Sequence, residues 1–363
     1  MGYPDTFEGF MIEDQKNWTD FKRKEFKPKP FESHDVDIKI DACGVCGSDV
    51  HTINGGWGEC PLPICVGHEV IGKAIKVGDD VTTCKVGDRV GVGAQIQACL
   101  ECRICKMGQE NYCPNKVDTY GAKYKDGTIS QGGYASHIRA HEYFTFKIPD
   151  NISTADAGPM MCAGLTVWSP LVRAKVGPGK KVGVVGIGGL GHFALLWASA
   201  LGAEVYALSS NPSKKDDALK LGAKEFICTT ADKEHWHEPW AFTFDFLLNT
   251  ADMTHKFNIE QYTSTVGING EFHHVGLPNE PLPPIMAQMF TVNGSKMGAS
   301  HIGNRPELLE MLKMASEKGI KPMVQTLQLG EKGEGCAEAV RRVEGNDVRY
   351  RFSLVGFDKV FGS

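Results

Sequence analysis

Up to about residue 150 the apolar positions come in short β-branched runs, such as 36–40 and 70–77. Turn signals at Gly78-Asp79, Gly87-Asp88 and Asp126-Gly127 separate them, which predicts a β-rich domain with many turns. From about Lys180 the pattern changes. A short apolar strand at 182–185 leads into a glycine turn and a helical stretch at 190–201. Strands at 204–208, 226–228, 244–248, 271–275 and 296–299 follow, with a helix at 216–221 among them. A helix at 306–318 carries proline in its first turn. Alternation on this scale predicts an α/β region built on a parallel, doubly wound sheet. From about Ile320 the texture turns β-like again, through 349–355, so the chain is expected to return to its first domain.

Composition adds exclusions. Hydrophobic residues make up 42% of the 363 positions and charged residues 23%, ordinary values for a globular protein. A formal net charge of −5 leaves no basic footprint, so nucleic acid is not an expected partner. No apolar run approaches the ~20 residues of a membrane helix. The start of the chain, with Asp5 and Glu8, lacks the basic and apolar regions of a signal peptide. The expected location is the cytoplasm.

Gly186-Ile187-Gly188-Gly189-Leu190-Gly191 is a G-x-G-x-x-G fingerprint that follows a predicted strand and opens a predicted helix. In that setting the glycines make a tight turn, admit a pyrophosphate and allow close helix packing at the positive helix end. An NAD site expects a carboxylate about 20 residues further on. Ser209, Ser210 and Asn211 occupy that place, Lys214 and Lys215 follow, and no acid precedes Asp216. Hydroxyls and ammonium groups suit a 2′-phosphate, so NADP(H) is the expected cofactor.

Cysteine placement brings in metal chemistry. Cys99, Cys102, Cys105 and Cys113 form C-x2-C-x2-C-x7-C in one loop, which fits a closed tetrahedral zinc shell. An iron–sulfur cluster is the rival, but the last gap is too long for its spacing. Cys43, Cys60, Cys65, Cys84, Cys228 and Cys336 show no ligand spacing and read as packed thiols. Cys46, Ser48 and His51 share one short segment, His68 and Glu69 lie in a second, and Cys162 comes much later. Two cysteines and one histidine would make a catalytic zinc site with an open position. Spacing alone does not bring Cys162 to Cys46.

Together these residues resemble the zinc-containing medium-chain dehydrogenase/reductase family, and more closely its cinnamyl alcohol dehydrogenase branch. The likeness covers essentially the whole chain. It runs through Gly44 to His51, Gly67-His68-Glu69, the Cys99 to Cys113 lobe, Ser130 to Ala135, Cys162 to Val167, Val182 to Gly191 and Asp347 to Phe352. The resemblance implies a GroES-like catalytic domain at 1–155 and 319–363, with a structural zinc lobe at 95–115, and a Rossmann domain at 156–318. It implies NADP(H) and two Zn2+ per chain, one held by Cys46, His68 and Cys162, the other by the four-cysteine lobe. Glu69 would be an adjacent carboxylate that tunes the metal or transiently ligates it, and Ser48 and His51 would relay the proton. Thr166, Val275, Gly298 and Ser300 would line the nicotinamide, and Ser209, Ser210 and Lys214 would take the 2′-phosphate. Trp57 stands where the branch often places a pocket tryptophan. The implied reaction is reversible hydride transfer between NADPH and a small-molecule aldehyde of cinnamyl, benzyl or medium-chain aliphatic type, giving primary alcohols. The implied assembly is a homodimer.

Three other readings are open at this level. One is a zinc-independent quinone or enoyl reductase of the same fold, which would need no thiolate shell. A polyol dehydrogenase is the second. The third is a non-catalytic NADPH-binding protein, which would need neither Ser48 nor His51.

Overall fold

The computed structural model describes residues 4–254 and 257–362. The chain forms two compact units, one running through Cys162 and resuming at Asn304, the other spanning Ala163–Gly303. The sequence reading put the divisions at 155/156 and 318/319. They fall later and earlier because flanking segments are tied into the first unit. Ser353 Oγ donates to the Ala155 carbonyl at 2.7 Å. Asn304 Nδ2 donates to the Gly108 carbonyl at 2.8 Å, and the Arg305 N–H to Glu110 Oε1 at 2.5 Å. The helix Arg305–Lys318 therefore belongs with the β-rich unit. It starts on a capping box between Asn304 and Glu307, with Pro306 in the first turn where no N–H is missed.

The first unit is organised by a seven-stranded sheet. Its path runs Val324–Gln328, Arg351–Val355, Asp35–Val45, Val70–Val77, Arg89–Val92 and Phe146–Lys147, and His137–His141 pairs Asp35–Val45 off that path. All pairings are antiparallel except the first, which is parallel. The strand Asp35–Val45 is buried along almost its whole length, and Val36, Ile38, Ile40 and Val45 feed one core with Val70, Val90, Phe352 and Leu354. Fully burying each such side chain stabilises the fold by about 1.5–3 kcal/mol. The C-terminal return is thus a core strand: Phe352 lies opposite Val45, and Ser353 opposite Gly44.

The second unit holds a six-stranded, all-parallel sheet. In spatial order its strands are Glu225–Cys228, Glu204–Ser209, Lys181–Val185, Phe244–Asn249, Val266–His274 and Lys296–Ala299. Numbered along the chain this is 3-2-1-4-5-6, the doubly wound dinucleotide-binding order, with its switch point beside Lys181–Val185. Apolar runs such as Val182, Val184 and Val185 or Leu247 and Leu248 are buried, as a sheet covered on both faces requires. Val266–His274 begins five residues before the expected 271. Gly267 and Gly270 interrupt its apolar pattern, and a register shift between Phe244 and Phe246 accommodates the early pairing. Among the described residues no helix is long and apolar enough to cross a membrane.

Candidate active site

Cys46 follows the long core strand Asp35–Val45 and caps the helix Gly47–Ile53. Its backbone N–H donates to Asp49 Oδ2 at 2.9 Å, which aims the Asp49 carboxylate back across the helix start. Asp49 is fully buried, and it also accepts from the Gly67 N–H at 3.1 Å and from His68 Nδ1 at 2.9 Å. A carboxylate only accepts, so Nδ1 carries the proton and Nε2 presents its lone pair. That lone pair faces Cys162, with Nε2 3.1 Å from Sγ. Cys162 sits in a π-helical turn, Met160–Gly164, of the kind that often marks functional positions.

Ligand atoms of Cys46, His68, Glu69 and Cys162 all lie within 4.8 Å of one another, and all four residues are enclosed. The site favours a thiolate at Cys46, while the neighbouring Cys46 sulfur and burial hold the Cys162 thiol well above its usual range. At Cys46 a hydrogen bond from the Cys162 thiol, helped by Arg351 and His68, outweighs burial and holds the first thiol well below its usual range. Burial disfavours an imidazolium at His68, yet the Asp49 carboxylate outweighs it and raises the basicity of the ring. Burial pushes the Glu69 carboxyl up to about 8, against the pull of the Arg351 guanidinium. Glu69 Oε1 accepts from Arg351 Nη2, and Glu69 Oε2, buried, has no hydrogen-bond partner. Gly44 makes room for this carboxylate: a Cβ there would meet Glu69 Oε2 at 1.9 Å. Two sulfurs, an imidazole lone pair and an unpartnered carboxylate oxygen form a donor set that fits a divalent zinc ion.

Ser48 Oγ lies 3.6 Å from Cys46 Sγ. His51, one helical turn on, stacks against Trp57 with ring centroids 5.0 Å apart, and its buried Nδ1 has no hydrogen-bond partner. Tyr120 packs on the His68 ring at 5.5 Å. Asp49 and Arg351 were not singled out from the sequence. Cys46-x-x-Asp49 does carry a capping-box spacing, which was the available signal for the first. Arg351 lies in the quoted C-terminal motif, but nothing local points it at Glu69, 282 positions away.

The four-cysteine loop closes on itself. Cys99 and Cys113 sulfurs are 3.5 Å apart, and Cys99–Cys105 and Cys102–Cys113 are 4.0 Å. Four sulfurs bonded at about 2.3 Å to a tetrahedral zinc would be about 3.8 Å apart, so the cluster fits that ion. Backbone N–H groups of Glu101 and Cys102 bring the Cys99 thiol down to about 6. Arg305 grips the lobe's neighbourhood, donating to the Tyr143 carbonyl with its guanidinium over the Tyr143 and Phe146 rings. All twelve cysteines are free thiols.

In the second unit the fingerprint forms the expected turn. Gly186 has φ +84°, and a Cβ on Gly191 would meet the Gly186 carbonyl at 1.9 Å. Gly188 and Gly189 follow in the loop, Leu190 caps the ten-residue helix Gly191–Ala200, and the helix N-terminus suits a pyrophosphate. Ser209 ends the neighbouring strand, and Gly186, Ser209 and Ser210 line one groove of about 480 Å³. Lys214 closes a short turn, Pro212–Lys214, and is not among that groove's lining residues. Thr166 lies buried in the helix Leu165–Arg173. On the other half of the sheet, the Val275 N–H donates to the Asn249 carbonyl at 3.0 Å. Gly298 pairs with His273, whose Nε2 is 2.9 Å from Ser300 Oγ.

Comparison with known proteins supplies the context. Residues 32–150 match the alcohol dehydrogenase GroES-like domain, and residues 189–317 match the zinc-binding dehydrogenase domain. The chain is 44% identical over 362 residues, 99% of both chains, to NADP-dependent alcohol dehydrogenase 6 of Saccharomyces cerevisiae. It is 40% identical to NADP-dependent alcohol dehydrogenase C 1 of Mycolicibacterium smegmatis, over 88% of this chain and 90% of that one. Among solved structures, a cinnamyl alcohol dehydrogenase from Sorghum bicolor superposes with a TM-score of 0.90 at 33% identity, covering 99% of this chain and 98% of that one. The structure of CAD from Helicobacter pylori complexed with NADP(H) gives 0.87 at 32% identity, covering 96% and 98%.

Proposed function

The chain belongs to the zinc-binding alcohol dehydrogenase family, and on that premise we propose that it interconverts aldehydes and primary alcohols with NADP(H) at Cys46, His68 and Cys162. The observation that carries this reading is the convergence of those three side chains with Glu69 inside 4.8 Å. A zinc-independent reductase would have no use for that donor set.

Bound there, zinc supplies a Lewis acid for the substrate oxygen and NADPH supplies the hydride. The remaining work falls to the chain. Cys46, His68 and Cys162 would hold the ion, three protein ligands being the number that suits a catalytic zinc. Asp49 fixes the His68 tautomer. Glu69, restrained by Arg351, keeps one oxygen poised beside the ligands. Ser48 Oγ gives its proton to the substrate oxygen during reduction and takes it back during oxidation. His51 replenishes Ser48 through an imidazole nitrogen, and Trp57 covers that ring. Cinnamyl, benzyl and medium-chain aliphatic aldehydes are the substrates this reading favours, with the aromatic faces of Trp57 and Tyr120 supporting it.

Four cysteines at tetrahedral spacing support a second, structural zinc in the Cys99–Cys113 lobe. A homodimer is supported by the edge strand Lys296–Ala299 and by exposed Ile268, Met286 and Val292 on the same unit. Twelve free thiols suit a reducing compartment such as the cytoplasm. The test is a panel of those aldehydes against NADPH and NADH, followed by loss of the reduced-nicotinamide absorbance. Turnover preferring NADPH is expected, and none with any aldehyde would overturn the reading.

A further inference from the structure

The helix Gly47–Ile53, which carries Ser48 and His51, ends on carbonyls that need partners from outside it. The Trp57 N–H meets the His51 carbonyl at 3.2 Å, and Gln15 Nε2 meets that of Thr52 at 2.8 Å. The same Nε2 gives its second hydrogen to the Gly58 carbonyl at 3.0 Å. One side-chain amide thus ties the helix end to the residue after Trp57, from 37 and 43 positions away. The segment it holds, Asn54-Gly55-Gly56-Trp57-Gly58, has little order of its own. Gly55 and Gly58 take φ of +79° and +99°, and glycine loses the most freedom on being fixed. Gln15 is itself anchored. It opens a short turn capped by Asp14, whose carboxylate accepts from the Lys16 N–H at 2.9 Å. Nearby, buried Ile12 and Ile64 exchange two backbone hydrogen bonds at 2.9 Å. The Trp57 ring lies on His51 with 24° between the planes, yet Trp57 is 43% exposed. An indole this exposed is not fixed by core packing, which leaves the tie through Gln15 to seat it.

We propose that Gln15 is a positioning residue for the reaction: by clamping the Trp57 loop it seats the indole on His51 and restricts that imidazole to one rotamer. The inference rests on the Ser48–His51 relay proposed above and adds the residue that keeps it in place. Release of the clamp would free the ring to turn, because its buried Nδ1 has no hydrogen-bond partner to hold it.

The test is a double-mutant cycle on zinc-quantified protein, combining Gln15→Ala or Gln15→Glu with His51→Gln. A carboxylate at position 15 only accepts, so Gln15→Glu faces both carbonyls without a donor. Each change at 15 is expected to keep the zinc and the KM for NADPH and to lower kcat about tenfold, as a misplaced group does. In the His51→Gln background the same changes should leave kcat nearly as it was, because they act through His51. Acrylamide quenching of Trp57, taken as the difference between each protein and its Trp57→Phe form, should rise in both. A merely structural glutamine would lower kcat equally in both backgrounds, which would overturn the proposal. Wild-type quenching or wild-type kcat in Gln15→Glu would overturn it too, and would leave the relay standing. A wild type that reduces no aldehyde, or a His51→Gln variant with full kcat, would overturn the relay reading itself.

Discussion

His68 Nε2 lies 3.1 Å from Cys162 Sγ although 94 positions separate the two residues. Asp49 makes this geometry useful, because it accepts the hydrogen bond of Nδ1–H and leaves the Nε2 lone pair free to bind a metal. Asp49→Asn would offer an amide N–H to Nδ1 and favour the opposite tautomer. Zinc affinity at this site is expected to fall by about 10–100-fold, read by chelator competition. Wild-type affinity in Asp49→Asn would contradict the orienting role.

Ser48 is proposed to move the proton without holding the ion. Ser48→Ala should therefore keep its zinc and lower kcat by about 10²–10⁴-fold in aldehyde reduction. Steady-state kinetics on metal-quantified protein checks this. Full activity would remove Ser48 from the reaction.

Gly44 is required by space. A Cβ placed there would meet the Glu69 carboxylate at 1.9 Å on one side of a core strand. Gly44→Ala should cost about 1–3 kcal/mol or more through overpacking, seen as a lower midpoint in thermal unfolding. An unchanged midpoint would mean that Glu69 moves aside freely.

His137 gives a pH dependence with a definite sign. Burial, assisted by Lys39, brings its imidazole down to about 4 from 6.5, in a place where it stacks on Phe7 with centroids 5.2 Å apart. The unfolded chain binds this proton below 6.5 and the folded chain only below about 4. The contribution of the neutral ring is present above pH 6.5 and is lost as pH falls from there to about 4. Thermal melts across that window should show the wild type losing a few °C more than His137→Gln, on the order of 2–4 °C per kcal/mol. Parallel curves would contradict the assignment.

Much of this architecture was legible because it is local. The glycine fingerprint, the cysteine lobe and most parallel strands announce themselves within a few residues. The buried parallel strand at 182–185 shows as a short apolar run, and the edge strand at 296–299 shows by its place in the series. Contacts made by folding were less visible. Bringing Cys162 to Cys46 needs the return of a π-helical turn to the end of a core strand, which spacing does not encode. Arg351 reaches Glu69 only because its strand pairs with Asp35–Val45. The helix Arg305–Lys318 read as part of the second domain because its ties to Gly108 and Glu110 are long-range. Family resemblance supplied the ligand set, and the geometry added Asp49 and Arg351.

The central claim is tested most directly by counting zinc per chain in the wild type and in Cys46→Ala. About two ions are expected in the first and about one in the second, the remaining ion being held by the Cys99–Cys113 lobe, with NADPH-driven aldehyde reduction lost in the variant. The same zinc count in both proteins, or full turnover by a zinc-free wild type, would contradict it.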